Sequence, residues 1–381
     1  MSKGGFTLRK FSANHHGFLE RILPELKETQ GPISLDSNNG VKTLGLLWNP
    51  TTAQFSIAHM APAGSSDAVA TKRKVASVIA STFDPLSLIS PLVITCKVLL
   101  QQLWLANLGW DDKLPENLQS KWQQLLSSLR QMNDIRIDRL VIPHQGPVNI
   151  QLHGFCDTSE YAYGACLYIR STDQQHHILS RLLCSKSRVA PVKRVTLPRL
   201  ELCGAVLLAK LVKKTVPILG IPIHSIHLFT DSTIVLAWIK AAFTRWKTFV
   251  ANRISQIQEL TDTECWKHIP THDNPTDLIS RGVQPSTLLQ AQLWWQGPKW
   301  LEDKTEFWQA DLPGRVPEDI PEERSVRTFL ATSSDSDDVM LKLSSYSKLI
   351  RVIAYCRRFI RNCRHRRERL SRMSRSILVM H

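Results

Sequence analysis

Hydrophobic positions along the chain change period several times, and each change predicts an element. The run TLGLLWNP, 43–50, alternates like a strand and stops at the turn signal Asn49-Pro50, and QFSIAHM, 54–60, follows as a second extended segment. Residues 70–135 switch to helical spacing. KRKVASVIASTFDPLSLISPL, 72–92, is helical until Asp84-Pro85 interrupts it, and in LPENLQSKWQQLLSSLRQM, 114–132, Leu118, Trp122, Leu125, Leu126 and Leu129 fall on one face.

From 147 to 285 the two periods alternate. VNIQLHGFCD (148–157) and AYGACLYI (162–169) read as a hairpin, HHILSRLLCS (176–185) as a third strand, and LPRLELCGAVLLAKLVKKTV (197–216) as a long amphipathic helix. IHSIHLFTD (223–231) is a strand, STIVLAWIK (232–240) and WKTFVANRISQIQEL (246–260) are helices, and ECWKHIP (264–270) is a last strand. The order β-β-β-α-β-α-α-β predicts an α/β fold, a mixed sheet covered by helices. No internal repeat is visible.

With 381 residues, 43% hydrophobic and 21% charged, the chain can bury real cores, which excludes generic disorder. The start, MSKGGFTLRK, lacks the apolar core of a secretory signal, and the most apolar window, 75–100, is broken by Asp84, Pro85, Pro91 and Lys97. An intracellular protein, cytoplasmic or nuclear and without a membrane partner, is expected. The eight cysteines are scattered with no Cys-x-x-Cys pair, which argues against a disulfide framework and a closed zinc site and for buried free thiols.

The net charge of +15 points to a polyanionic partner, nucleic acid before a membrane surface. It is unevenly spread: residues 311–340 carry −5, residues 341–381 carry +11, and the first 310 carry +9. The acidic stretch, rich in proline, reads as a solvated linker, and SSYSKLIRVIAYCRRFIRNCRHRRERLSR as a basic helix with Ile350, Ile353, Cys356, Ile360 and Cys363 near one stripe. Two further basic groups lie beside the predicted strands: Lys186, Arg188, Lys193, Arg194 and Arg199, and then Arg245, Lys247 and Arg253 with Trp246 between them. Either could bind a phosphate backbone or be a solvated positive face. Trp294, Trp295 and Trp300 suit a closing segment better than base stacking.

Four acids sit where secondary structure could gather them. Asp157 ends the first strand of the mixed sheet, Glu201 lies in the first turns of the long helix, Asp231 ends the fourth strand, and Asp277 belongs to DNPTDLISRG. Sites in open α/β sheets collect at strand ends and adjacent helix termini. Like charges crowded in a poorly solvated cleft repel, and one or two hard divalent cations are the natural compensation. Two such ions can support an in-line displacement at phosphorus. Asp231-Ser232 equally has the form of a helix N-cap, and Asp277 after Asn-Pro that of a helix start.

In this order, FCDTS, LPRLEL, FTDS and DNPTDLISRG resemble the ribonuclease H domain of retrotransposon polyproteins, most closely the Pao/BEL group. GGFTLRKFSAN, TLGLLWNP, IASTFDPLSLISP, LWLANLGWDDKLP and RWKTFVANRI look like the end of that family's reverse transcriptase and its helical connection, and LSSYSKLIRVIAYCRRFIRNCR like the helix before its integrase region. The resemblance implies a ribonuclease H-like mixed sheet flanked by helices. It divides the chain into a reverse transcriptase palm remnant (1–65), a helical thumb or connection (66–145), the ribonuclease H-like domain (146–300), an acidic linker (301–340) and a basic helical segment (341–381).

By the same resemblance, Asp157, Glu201, Asp231 and Asp277 are the catalytic, metal-binding carboxylates for magnesium, with manganese as a substitute, and the RNA strand of an RNA–DNA hybrid is cut to leave a 3'-hydroxyl and a 5'-phosphate. Many such enzymes also carry a mobile histidine, for which His268 and His272 both qualify. The parent polyprotein would supply polymerase and integrase modules as partners, and the chain reads as a fragment of such an element. No tyrosine is followed by x-Asp-Asp, so no polymerase activity is expected. An inactive nucleic-acid-binding fragment is the alternative. An aspartic peptidase is disfavoured because Asp36-Ser37-Asn38, Asp157-Thr158-Ser159 and Asp231-Ser232-Thr233 lack the glycine of its turn.

Overall fold

The computed structural model describes residues 5, 7–9, 11, 13–14, 16–27, 41–43, 46–49, 51–57, 70–82, 84–142, 146–304, 320–324 and 345–377, with side chains of the last helix described to Cys363. Residues 58–60 of the second expected strand and most of the acidic stretch lie outside them. Helix α1 (His16–Glu20) precedes a small antiparallel sheet of β1 (Val41–Thr43), β2 (Leu46–Asn49), β3 (Gln54–Ile57) and β4 (Arg136–Asp138), in that order.

Between β3 and β4 run α2 (Lys72–Ser81), α3 (Ser90–Leu105) and α4 (Glu116–Leu129). The break after α2 has a local cause. The Asp84 carboxylate accepts hydrogen bonds from the Leu88 and Ile89 amides, each at 2.8 Å, and Ser87 takes φ +57°, so the chain turns and restarts at Ser90 with Pro91 in the first helical turn.

The second sheet contains β5 (Asn149–Thr158), β6 (Ala162–Thr172), β7 (Ile178–Val189), β8 (Ser225–Thr230) and β9 (Trp266–His268) in the order β7-β6-β5-β8-β9. β5, β6 and β7 pair antiparallel, whereas β8 is parallel to β5 and β9 to β8. Helix α5 (Leu197–Leu219) makes the crossover from β7 to β8, and α6 (Thr233–Lys240) and α7 (Thr248–Leu260) make the next. After β9 come α8 (Asp277–Arg281), α9 (Pro285–Gln290) and α10 (Gln292–Trp295).

β5 is buried along nearly its whole length because both sheet faces are covered. Leu152 and Cys156 pack in the cluster formed with α5, α6 and α7, while Phe155 joins the opposite one, the period-two pattern of a strand between two layers. Gly154 permits the close approach of α5: a Cβ there would lie 2.8 Å from Leu208 Cδ1.

On the other face, the helical segment and the sheet share one apolar cluster, from Val75, Leu99 and Leu126 to Phe155, Tyr168 and Phe229. The outer strand β7 is covered by α3 and the turn before it. The Ser185 amide donates to Leu86 O at 3.0 Å, Gln101 Nε2 to Ala190 O at 2.8 Å, and Lys97 Nζ to Ser187 Oγ at 3.1 Å. Trp294, fully buried, donates from Nε1 to Leu88 O at 2.8 Å, and Trp300 packs against Phe155 and Phe229.

The helix expected from Trp246 begins instead at Thr248. Trp246 is extended, forms an antiparallel bridge with Glu323, and is fully buried beside Trp238, so it fills the core and is closed to a base. The stretch expected as a solvated linker is also bound where it is described: Leu301 is fully buried, and residues 320–324 are hydrogen-bonded to the backbone at Arg245 and Lys247. The chain forms two compact units, Met1–Arg324 and Ser325–His381.

The second unit carries helix α11 (Tyr346–Ile377), on which Ile350, Ile353, Phe359 and Ile360 are exposed. Cys356 and Cys363 are exposed there too, contrary to the expectation of buried thiols, because the described residues of this unit form a single amphipathic helix; Cys96, Cys156, Cys166 and Cys184 are buried. Among the described residues, no helix is long and apolar enough to cross a membrane.

Candidate active site

The chain path places the four acids at adjoining ends of elements. Asp157 is the penultimate residue of β5, Asp231 follows β8, Glu201 lies early in α5, and Asp277 opens α8. Because β8 is parallel to β5, their C-terminal ends lie side by side, with Cys156 opposite Thr230. Gly204 brings α5 over this end, where an added Cβ would be 3.1 Å from Thr158 Oγ1.

Each carboxylate has its own donor. Ser280 Oγ donates to Asp157 Oδ2, Ser232 Oγ to Glu201 Oε2 at 2.6 Å, Thr271 Oγ1 to Asp231 Oδ2 at 3.0 Å, and Arg281 Nε pairs with Asp277 Oδ1 at 2.7 Å. The Asp231-Ser232 pair thus divides its work: Ser232, whose Oγ accepts from the Val235 amide, caps α6, and Asp231 remains in the acidic group. None of these donors was singled out from the sequence. Arg281, four residues after Asp277 on the same helix, is the one donor whose spacing points to its partner.

The acids act on one another electrostatically. Burial, then the charge of Asp231 and less strongly that of Asp277, pushes Asp157 up to about 7, against the hydrogen bond from Ser280. Glu201 is raised by burial and by Asp231, and Asp277 by burial and by Asp231, with Arg281 opposing. Asp231 is raised by burial, while Thr271, His268 and Arg281 pull it down. The two histidine candidates differ in placement: His268 Nε2 lies 3.2 Å from Asp231 O, whereas the His272 side chain is 80% exposed and 3.7 Å from Asp273.

Helix α8 is held from both sides. Ile279 packs over Gly164 of β6, where a Cβ would come within 2.4 Å of Ile279 Cγ2, and Ser159 Oγ donates to Ser280 O at 2.6 Å. At its other end Gly282 takes φ +74° against α3, with space for a Cβ closed by Thr95 Cγ2 at 2.5 Å, and the Val283 amide donates to Pro91 O at 3.1 Å. Buried Asn274 anchors the preceding loop by donating from Nδ2 to Cys156 O at 3.0 Å.

Among the described residues, no three His, Cys, Asp or Glu side chains form a group compact enough to hold a metal ion unaided. The donor set is nonetheless one of hard oxygens whose charge is destabilised by burial and mutual repulsion. That suits magnesium or manganese, which use one or two carboxylates and keep places for water and phosphate, better than it suits a closed protein cage.

Residues 71–232 match the family model of the Pao retrotransposon-like RNaseH-like domain. The matched range runs from the Thr71 cap of α2 to the Ser232 cap of α6, so it includes α2 to α5 as well as Asp157, Glu201 and Asp231, and it stops short of α6, α7 and Asp277. The mixed sheet flanked by helices is the architecture expected from the motif order. Solved structures similar to the chain include RNase H1 from the halophilic archaeon Halobacterium salinarum NRC-1, at 14% identity over 34% of this chain and 90% of that one with a TM-score of 0.22. Another is the N-terminal RNase H domain of rv2228c from Mycobacterium tuberculosis, solved as a fusion with maltose-binding protein, at 16% identity over 34% of this chain and 91% of that one with a TM-score of 0.23. No curated protein matches the chain.

The cations expected to meet a nucleic acid fall into two environments. Lys186, Arg188, Lys193 and Arg194 are exposed at the end of β7 and in the loop beyond it, and Lys97 of α3 joins them, its ammonium pulled down by burial and then by Lys186. Arg199 and Arg245 are instead paired, with Glu322 and Glu323, each at 2.7 Å. Arg253 stacks on Phe249 with its guanidinium 3.5 Å from the ring centre, and Lys247 is exposed just before α7.

Proposed function

We propose that the Pao RNaseH-like segment, completed by Asp277, is a divalent-metal-dependent nuclease that cuts the RNA strand of RNA–DNA hybrids. The observation that carries this reading is the meeting of Asp157, Glu201, Asp231 and Asp277 at the ends of β5, α5, β8 and α8, each raised by burial and coupled to at least one of the others. Asp157 and Asp231, on adjacent parallel strands, would hold a divalent cation, with Glu201 and Asp277 on its flanks. When bound, such a cation supplies charge for the attacking and leaving oxygens of phosphoryl transfer.

The chain's own residues do the rest. Ser280 and Ser232 fix the rotamers of Asp157 and Glu201. Arg281 places positive charge near Asp231, and the cations at the end of β7 would take the hybrid's phosphates without reading its bases. Discrimination for RNA would come from contacts to 2'-hydroxyls.

The test is incubation of the full chain with an end-labelled RNA–DNA hybrid and magnesium. Cleavage of the RNA strand that falls by about a hundredfold or more in Asp157→Asn and in Asp231→Asn supports the reading. Hybrid binding without cleavage by the unaltered chain sinks it and leaves the inactive binding fragment.

A further inference from the structure

Five residues of the acidic stretch, Ile320–Arg324, are fastened to a surface made by α5, α6 and the turn before α7. Ile320 packs against the cluster under α5. Trp238 Nε1 donates to Pro321 O at 3.0 Å, the Lys247 amide to Glu322 O at 2.8 Å, and the Arg324 amide to Arg245 O at 2.9 Å. Backbone pairing therefore sets the register, as in the addition of an extended peptide to an exposed edge.

The side chains add charge complementarity. Arg199 reaches Glu322 Oε1 with Nε at 2.8 Å and Nη2 at 2.7 Å, and Arg245 Nε reaches Glu323 Oε1 at 2.7 Å. Phe249 lies under the Arg199 guanidinium at 4.8 Å and Trp246 beside that of Arg245 at 5.1 Å, so aromatic rings orient both cations.

We propose that this surface is a groove for an extended acidic peptide, filled here by Pro321–Arg324, and that the peptide and a nucleic-acid backbone occupy it in turn. The nucleic-acid half of the statement rests on the function proposed above; the peptide half does not. Two of the cations that the sequence offers to phosphates are neutralised by consecutive carboxylates of the same chain, which present negative charge along an extended backbone as a nucleic-acid strand does. The hold is suited to exchange. The Arg245–Glu323 pair is about half exposed on both sides, the kind of pair that contributes little, and Glu322 Oε2 is buried with no hydrogen-bond partner. A phosphate backbone, in contrast, gains from counterion release at each cation it meets.

The experiment compares the full chain with its Glu322→Gln/Glu323→Gln variant, which keeps the shape and backbone pairing of the strap while removing its charge. Binding of a fluorescently labelled RNA–DNA hybrid is measured by anisotropy without divalent metal across a salt series. The variant is expected to bind about three- to tenfold more tightly at low salt, with a steeper logarithmic salt dependence by about one to two, since two more cations are free for phosphates. Equal affinity and equal slope overturn the proposal, and so does an absence of binding in both proteins.

Hydrogen exchange gives a second readout that does not depend on the variant. In the unaltered chain, the Lys247 and Arg324 amides should exchange faster when the hybrid is added, because the departing strap takes away the Glu322 carbonyl that Lys247 donates to and draws the Arg324 amide off the Arg245 carbonyl; slower exchange at both would mean that the strap stays, and would overturn the proposal. Cleavage scores the nuclease reading separately. Tighter binding by a variant that does not cut keeps the groove and removes the nuclease, whereas cleavage with unchanged binding does the reverse.

Discussion

The electrostatics of the site turn on Asp157. Its carboxyl, pushed up to about 7 by burial and by Asp231, holds a proton in the folded, metal-free protein over a range where the unfolded chain, with an ordinary aspartate value near 4, has lost it. The native state therefore binds more protons between those values. That stabilising contribution is complete below the unfolded value and is lost as pH rises through about 7. Asp157→Asn, which cannot ionise, should accordingly stabilise the metal-free protein at pH 8, by a margin bounded at roughly 4 kcal/mol and read as a higher melting temperature, and the advantage should shrink toward pH 4. Thermal melts of both proteins across this range check it; a difference independent of pH would contradict it. Ser280→Ala removes the hydroxyl that lowers this carboxyl, so its titration, followed by carboxyl carbon NMR, should move further upward.

Helix α8 has five residues, too few to persist alone, and it carries both Asp277 and the donor to Asp157. Its position comes from two close approaches, Ile279 on Gly164 and Gly282 on Thr95. Gly164→Ala and Gly282→Ala should each cost about 1–3 kcal/mol in urea unfolding, the second also through its left-handed φ. Both should reduce hybrid cleavage by more than the population of unfolded protein explains, because the helix shifts while the sheet survives. Cleavage that simply tracks stability would show that α8 does not position the site. The element also explains why helix α3 matters to chemistry far along the chain: the Val283 amide and Gly282 rest on its first turns.

At the scale of the whole molecule, the sheet has no complete core of its own. Phe155, Tyr168 and Phe229 share a cluster with α2, α3 and α4, and Leu86, Leu88 and Ala190 join the two parts by hydrogen bonds. A chain starting at residue 146 should therefore expose that face, bind a hydrophobic dye and unfold with low cooperativity, whereas one starting at residue 70 should not. Circular dichroism melts with dye binding compare them. The strands and their order were legible because a strand between two layers must be apolar on both faces, as FCD and LFTD are up to the acid that ends each run. Asp157 and Asp231 were legible for the same reason, since a carboxylate at the end of an apolar run stands out, whereas Glu201 and Asp277 were picked out by the order of the motifs LPRLEL and DNPTDLISRG. The sequence by itself thus determined the main strands and helices between 148 and 270 and their order along the chain, and it singled out the four acids, since burial and periodicity are properties of short stretches. Only the tertiary structure decided which groups answer those acids and cations. Ser280 meets Asp157 and Glu322 meets Arg199 across 123 residues in each case, and no local pattern encodes a partner that the fold alone brings within hydrogen-bonding distance.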